Sequence, residues 1–118
     1  MNKFYIISQD NLTEIILKES IKKAGYDSEV IYLDKIENNS NIENFVLFVD
    51  IENKDEFYNL IKRIRGKNRC YIIGIEDKNS QKIVNNIEYI MSFDKITQKP
   101  LAKDNISKII ADIEEKLK

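Results

Sequence analysis

Histidine is missing from this chain of 118 residues. Its absence removes the commonest general base, the commonest metal ligand and every histidine-containing catalytic triad at once. A single cysteine, Cys70, excludes an intramolecular disulfide and favours a reduced, intracellular setting. One proline and three glycines leave no Gly/Ser/Pro-rich linker to divide the chain. No apolar run approaches the roughly 20 residues of a membrane helix. The opening Met1-Asn2-Lys3-Phe4-Tyr5 lacks the long apolar region and small-residue cleavage site of a signal peptide. An excess of one charge sign is missing as well. Nineteen basic residues stand against 20 acidic ones, for a net charge of -1. Such a balance argues against bulk attraction to nucleic acid or an anionic membrane. There is no Walker loop, no G-x-G-x-x-G and no RNA-binding aromatic pattern. The expectation is one cytoplasmic domain spanning residues 1–118, with no nucleic-acid or membrane partner.

What is present is alternation. Phe4-Tyr5-Ile6-Ile7, Phe45-Val46-Leu47-Phe48-Val49 and Tyr71-Ile72-Ile73-Gly74-Ile75 are short runs of β-branched and aromatic residues between polar ones. Each reads as a strand buried on both faces, as in a central parallel sheet. Val30-Ile31-Tyr32-Leu33 reads the same way. Helical patterns lie between. Asp10 or Asn11 can cap a helix running to Gly25, with Leu12, Ile15, Ile16, Leu17, Ile21 and Ala24 apolar. Phe57, Leu60, Ile61 and Ile64 keep helical spacing up to Gly66. Ile83, Val84, Ile87, Ile90 and Met91 do so after Asn79-Ser80. Ile106, Ile109, Ile110, Ile113 and Leu117 form the clearest stripe, with Asp104 as its expected cap. The segment from Asp34 to Asn44 offers only Ile36 and Ile42 for burial, so a helix there is short or missing. With a fifth strand near Lys95–Gln98, the alternation makes a parallel sheet with helices on both faces. Function in such folds gathers at the carboxyl ends of the strands.

Those ends carry Ser8-Gln9-Asp10, Asp50-Ile51-Glu52, Ile75-Glu76-Asp77 and Gln98-Lys99-Pro100-Leu101. Ser92-Phe93-Asp94-Lys95-Ile96-Thr97-Gln98-Lys99-Pro100-Leu101 resembles the "G-A-D-D-F-L-T-K-P-F" segment of bacterial response-regulator receiver domains. Gly25-Tyr26 is similar to the glycine-aromatic pair that ends the first helix of that family, and Asp50 to its phosphoacceptor aspartate. The resemblance spans essentially the whole chain. It implies a flavodoxin-like (CheY-like), doubly wound, five-stranded parallel sheet of order 2-1-3-4-5. It also implies a place in two-component signal transduction. In the family the aspartate takes a phosphoryl group with the help of Mg²⁺ and the lysine of Lys-Pro.

The chain departs from that pattern at the positions the chemistry needs. Ser8 and Gln9 stand where the family has an acidic pair, and Asp10 is one step beyond. Mg²⁺ wants carboxylates, so a site reduced to Asp10 and Asp50 should hold it weakly. Ile75 replaces the hydroxyl that senses the phosphoryl group, and Ile96 replaces the switch aromatic. Glu52, Asp55 and Glu56 crowd the loop after Asp50 with negative charge. The resemblance therefore implies a degenerate receiver, or pseudo-receiver. Such a stand-alone domain is a non-enzyme with no cofactor. Its partner would be another protein or a second copy, met through the fourth helix, fifth strand and fifth helix. Lys99 then serves as an internal counter-ion of Asp50 and Asp10, and Asp50 as a turn cap. The alternative keeps Asp50 as a working phosphoacceptor with Mg²⁺ and Lys99, fed by a histidine kinase. Two plainer readings complete the picture. Lys62, Arg63, Arg65, Lys67 and Arg69 are a solvated helix end, and Cys70 is a small core residue at a strand start.

Overall fold

The structure, a computed structural model, describes residues 3–8, 10–31, 45–50, 61–63, 70–76 and 93–116. Five strands form one sheet: β1 (Lys3–Ile7), β2 (Ser28–Val30), β3 (Phe45–Asp50), β4 (Cys70–Glu76) and β5 (Lys95–Gln98). All neighbouring pairs are parallel, and the order is β2-β1-β3-β4-β5. That is the expected 2-1-3-4-5 sheet. Parallel neighbours need crossover connections, so the chain between strands must leave the sheet and return.

Alternation along the strands divides the core in two. Tyr5, Ile7, Phe45, Leu47, Val49 and Ile72 face one side, where Ile61 and Phe93 pack. Phe4, Ile6, Val46, Phe48, Ile73 and Ile75 face the other, beneath helices α1 (Asn11–Lys23) and α2 (Lys103–Lys116). Every residue of β3 is buried. Each such Phe, Leu or Ile contributes about 1.5–3 kcal/mol on full burial. A strand with both faces covered cannot alternate polar residues, which is why these runs are continuously apolar.

The helix ends follow from local chemistry. Asp10 caps α1, its carboxylate accepting from the Leu12 backbone N–H at 3.2 Å. The helix stops at Gly25, whose φ of 95° is left-handed, and Gly25 N–H donates to Lys22 O at 3.0 Å. Tyr26 then lays its ring against Phe4, with centroids 4.9 Å apart. Cys70 is partly buried at the start of β4, against the first core cluster.

Three expectations need correction. The second strand is Ser28–Val30 rather than Val30–Leu33. It is an edge strand with one neighbour, so it has one ladder to satisfy and little apolar demand; only Ile31, just past its end, is fully buried. Asp104 is not the cap of α2 but a residue of its first turn, where the dipole favours it; the Ile106 N–H reaches Ala102 O. The buried face of α1 is Thr13, Leu17, Ser20 and Ile21, while Leu12 and Ile15 are 65% and 53% exposed. The helices expected near 57–64 and 83–91 lie outside the described residues, apart from helical 61–63. So do the segment 34–44, most of the basic run, Leu117 and Lys118.

One contact fixes how β5 meets β4. Asp94 N–H donates to Ile72 O at 2.8 Å, and Ile72 N–H donates back to the Asp94 carboxylate at 2.7 Å. The ladder then runs Ile73↔Lys95 to Glu76↔Gln98, with Lys99 N–H on Glu76 O at 2.9 Å.

Candidate functional site

The carboxyl ends of β1, β3 and β5 bring four of the predicted residues together. Asp50 is the last residue of β3, and its side chain is 5% exposed. A carboxylate so far from water is costly unless it is paired. Lys99, just past β5, supplies the pairing, with Nζ 2.8 Å from Asp50 Oδ2. Ser8, just past β1, donates its hydroxyl to the same oxygen at 3.0 Å. Asp10 completes the group, with Oδ2 3.3 Å from Lys99 Nζ. The lysine ammonium thus bridges the two carboxylates.

A second set of contacts holds Asp10 in place. Its Oδ2 accepts from Thr13 Oγ1 at 2.7 Å, and its backbone N–H donates to Ser8 Oγ at 3.0 Å. The Thr13 hydrogen bond, followed by Lys99 and the Leu12 N–H, draws the Asp10 carboxyl below its usual range. For Lys99, burial pulls the pKa down. The hydrogen bond and charge of Asp50, then those of Asp10, outweigh it and leave the ammonium above its ordinary value.

Thr13 is the participant that residue patterning passed over. It stands between Leu12 and Glu14, outside the apolar set that marks the helix. The signal was there: Asp10-Asn11-Leu12-Thr13 places a hydroxyl three residues after a helix cap, the spacing of reciprocal capping.

Two further predicted positions lie beside the group without joining it. Ile75 is the Cα partner of Asp50 across the ladder, fully buried under α1 and α2. Ile96 packs against the core on the opposite face. Neither side chain can donate or accept a hydrogen bond. On β5, Thr97 is buried and its hydroxyl accepts from Asn105 of α2 at 3.1 Å. The buried Glu76 carboxylate accepts from Gln98 at 2.7 Å. The Lys99-Pro100 bond is cis. Gln9 and the acids Glu52, Asp55 and Glu56 fall outside the described residues.

Among the described residues no group of three or more His, Cys, Asp or Glu side chains is placed to hold a metal ion. No helix among them is long and apolar enough to cross a membrane.

No protein-family profile matches the chain, and no curated protein matches it. Solved structures do. A two-component response regulator from Clostridium difficile superposes with a TM-score of 0.75 at 22% identity, over 99% of this chain and 98% of that one. A response regulator from Colwellia psychrerythraea gives 0.75 at 14%, over 98% of each chain. The receiver domain of the TMAO respiratory system response regulator TorR gives 0.74 at 17%, over the full length of both. Likeness at these identities establishes the CheY-like fold, and function has to be argued from the site.

Proposed function

We propose that this chain is a receiver-like signalling domain that acts by binding another protein, without a working phosphorylation switch. The observation that carries this reading is the position of the Lys99 ammonium, 2.8 Å from Asp50 and 3.3 Å from Asp10.

The receiver fold implies Mg²⁺, and the donor set here does not suit it. Mg²⁺ demands near-octahedral oxygen ligands at short range. Asp50 Oδ2 already accepts from an ammonium and a hydroxyl, and Asp10 Oδ2 from an ammonium and a second hydroxyl. Ser8 and Thr13 spend their hydroxyl protons on those carboxylates. Two acids sharing one lysine carry a net charge of about -1, half of what the two carboxylates alone would offer a divalent ion. The same contacts lower the nucleophilicity of Oδ2, one of the two Asp50 carboxylate oxygens. Ile75 and Ile96 add no hydroxyl or aromatic ring to report a phosphoryl group.

The partner is a protein or a second copy of the chain, met on the β5–α2 side. There the α2 residues Asp104, Lys108 and Glu115 are polar and exposed. Non-obligate interfaces of this kind are commonly polar at the rim.

The test adds Mg²⁺ and beryllofluoride to the ¹⁵N-labelled protein. Amide resonances around Asp50 and Lys99 are expected to stay where they are. Large shifts there, or a phosphate-sized mass gain with acetyl phosphate that Asp50→Asn abolishes, would establish the phosphoacceptor reading instead.

A further inference from the structure

Among the described residues, the side-chain polar contacts of the pocket extend into α1 rather than into β4 or β5. Asp50, Lys99, Asp10 and Ser8 close a ring. Lys99 Nζ lies 2.8 Å from Asp50 and 3.3 Å from Asp10, Ser8 Oγ donates to Asp50 at 3.0 Å, and Asp10 N–H donates to Ser8 Oγ at 3.0 Å. From that ring, described contacts lead into α1. Asp10 Oδ1 accepts from Leu12 N–H, Asp10 Oδ2 from Thr13 Oγ1, and Asp10 O from Glu14 N–H at 3.0 Å. Toward β4 and β5 the described link is backbone alone, Lys99 N–H to Glu76 O at 2.9 Å, and the neighbouring side chains Ile75 and Ile96 are hydrocarbon. The Thr97–Asn105 and Glu76–Gln98 pairs are separate from the ring.

We propose that the ionic contacts of the pocket are read out at the first turn of α1, through Asp10, and not at β5. This rests on the interaction-module reading above and adds to the β5–α2 side named there a second, responsive surface on α1. One carboxylate does two things. Its Oδ1 caps a helix, and its Oδ2 balances the pocket lysine. A change that draws Lys99 toward Asp50, or away from both acids, alters the pull on Asp10 and so the geometry of the cap. Thr13, 3% exposed, is the positioning residue that keeps Oδ2 where both demands meet. Leu12 and Ile15 ride on the same turn with their apolar side chains in water, so a small movement of the cap changes the surface shown there.

The experiment measures amide hydrogen exchange by NMR in the full chain, for Lys99→Met, Thr13→Val and the double variant. Lys99 and Thr13 both contact Asp10 Oδ2, so their effects should converge. Exchange at Leu12 and Glu14 is expected to quicken about fivefold in each single variant, the scale of a weakened helix cap. The double variant should be no faster than the worse single one. Ile106 and Ile109 in α2 should be unchanged. Additive acceleration in the double variant, no change at Leu12 and Glu14, or equal acceleration in α2 would overturn the proposal. Lys99→Met leaves a buried carboxylate without its cation, which can destabilise the whole domain. Asp50→Asn with Lys99→Met removes both charges, and the same local pattern is required of that variant. None of these measurements uses Mg²⁺ or a phosphoryl donor. Phosphorylation of Asp50 would therefore sink the module reading while leaving this readout to stand or fall by itself.

Discussion

Ser20 shows how far single side chains on α1 are set by packing rather than by type. It is 2% exposed, and its hydroxyl finds no hydrogen-bond partner among the described residues. A buried hydroxyl without a partner loses its water and gains nothing in return. Ser20→Ala removes that group with almost no change of volume and adds a better helix former. The domain is expected to gain about 1 kcal/mol, read as a higher urea midpoint at unchanged slope. Polar residues elsewhere divide by how far their roles depend on distance. Asp50 and Lys99 could be paired in advance because the resemblance to receiver domains implies that both lie in one pocket. Ser8 and Thr13 could not be assigned as donors, since a hydroxyl's role depends on what lies within 3 Å. In sequence Ser8 is only a gap in an acidic pair, yet it donates to Asp50.

Among the elements, the two helices differ in how plainly their inner faces can be read. In α2 only Ile106, Ile109, Ile110 and Ile113 are large and apolar, so one 3.6-residue stripe fits, and all four are buried. In α1 apolar residues surround most of the axis. The packed stripe is Thr13, Leu17, Ser20 and Ile21, at i, i+4, i+7 and i+8, and it gives up Leu12 and Ile15 to solvent. Two small side chains on that face let α1 approach the sheet and α2, a choice that hydropathy alone does not reveal. The central strands were plain for the opposite reason, because burial on both faces leaves no alternative pattern. The edge strand β2 shifted by two residues because one neighbour constrains it less. For α2 the stripe sets a cost. Ile110→Ala should lower stability by about 2–5 kcal/mol, measured by chemical denaturation, since it leaves a cavity between helix and sheet.

At the scale of the whole molecule, the pocket ties folding to pH in a defined window. Asp10 titrates lower in the folded chain than its ordinary value, first through Thr13 and then through Lys99. Its contribution is therefore present above the usual carboxylate range and is lost as pH falls through the folded value. Lys99 titrates higher in the folded chain, through Asp50 and Asp10 acting against burial. Its contribution is complete below the ordinary lysine value and is lost as pH rises past the folded one. Between about pH 5 and pH 9 neither group tilts the stability curve. Asp10→Asn should therefore flatten the acid limb below about pH 4, seen as a smaller fall in thermal midpoint than the parent protein shows. The pocket in turn depends on a contact at the far end of β5. Asp94 grips Ile72 through both its backbone and its carboxylate before the strand begins. It works as an index pin. Side chains on a strand alternate between faces, so a one-residue slip would turn every later residue over. With the pin in place, the ammonium five positions downstream arrives on the side where the two acids wait. Without it, a neutral amide or a proline would be delivered there instead.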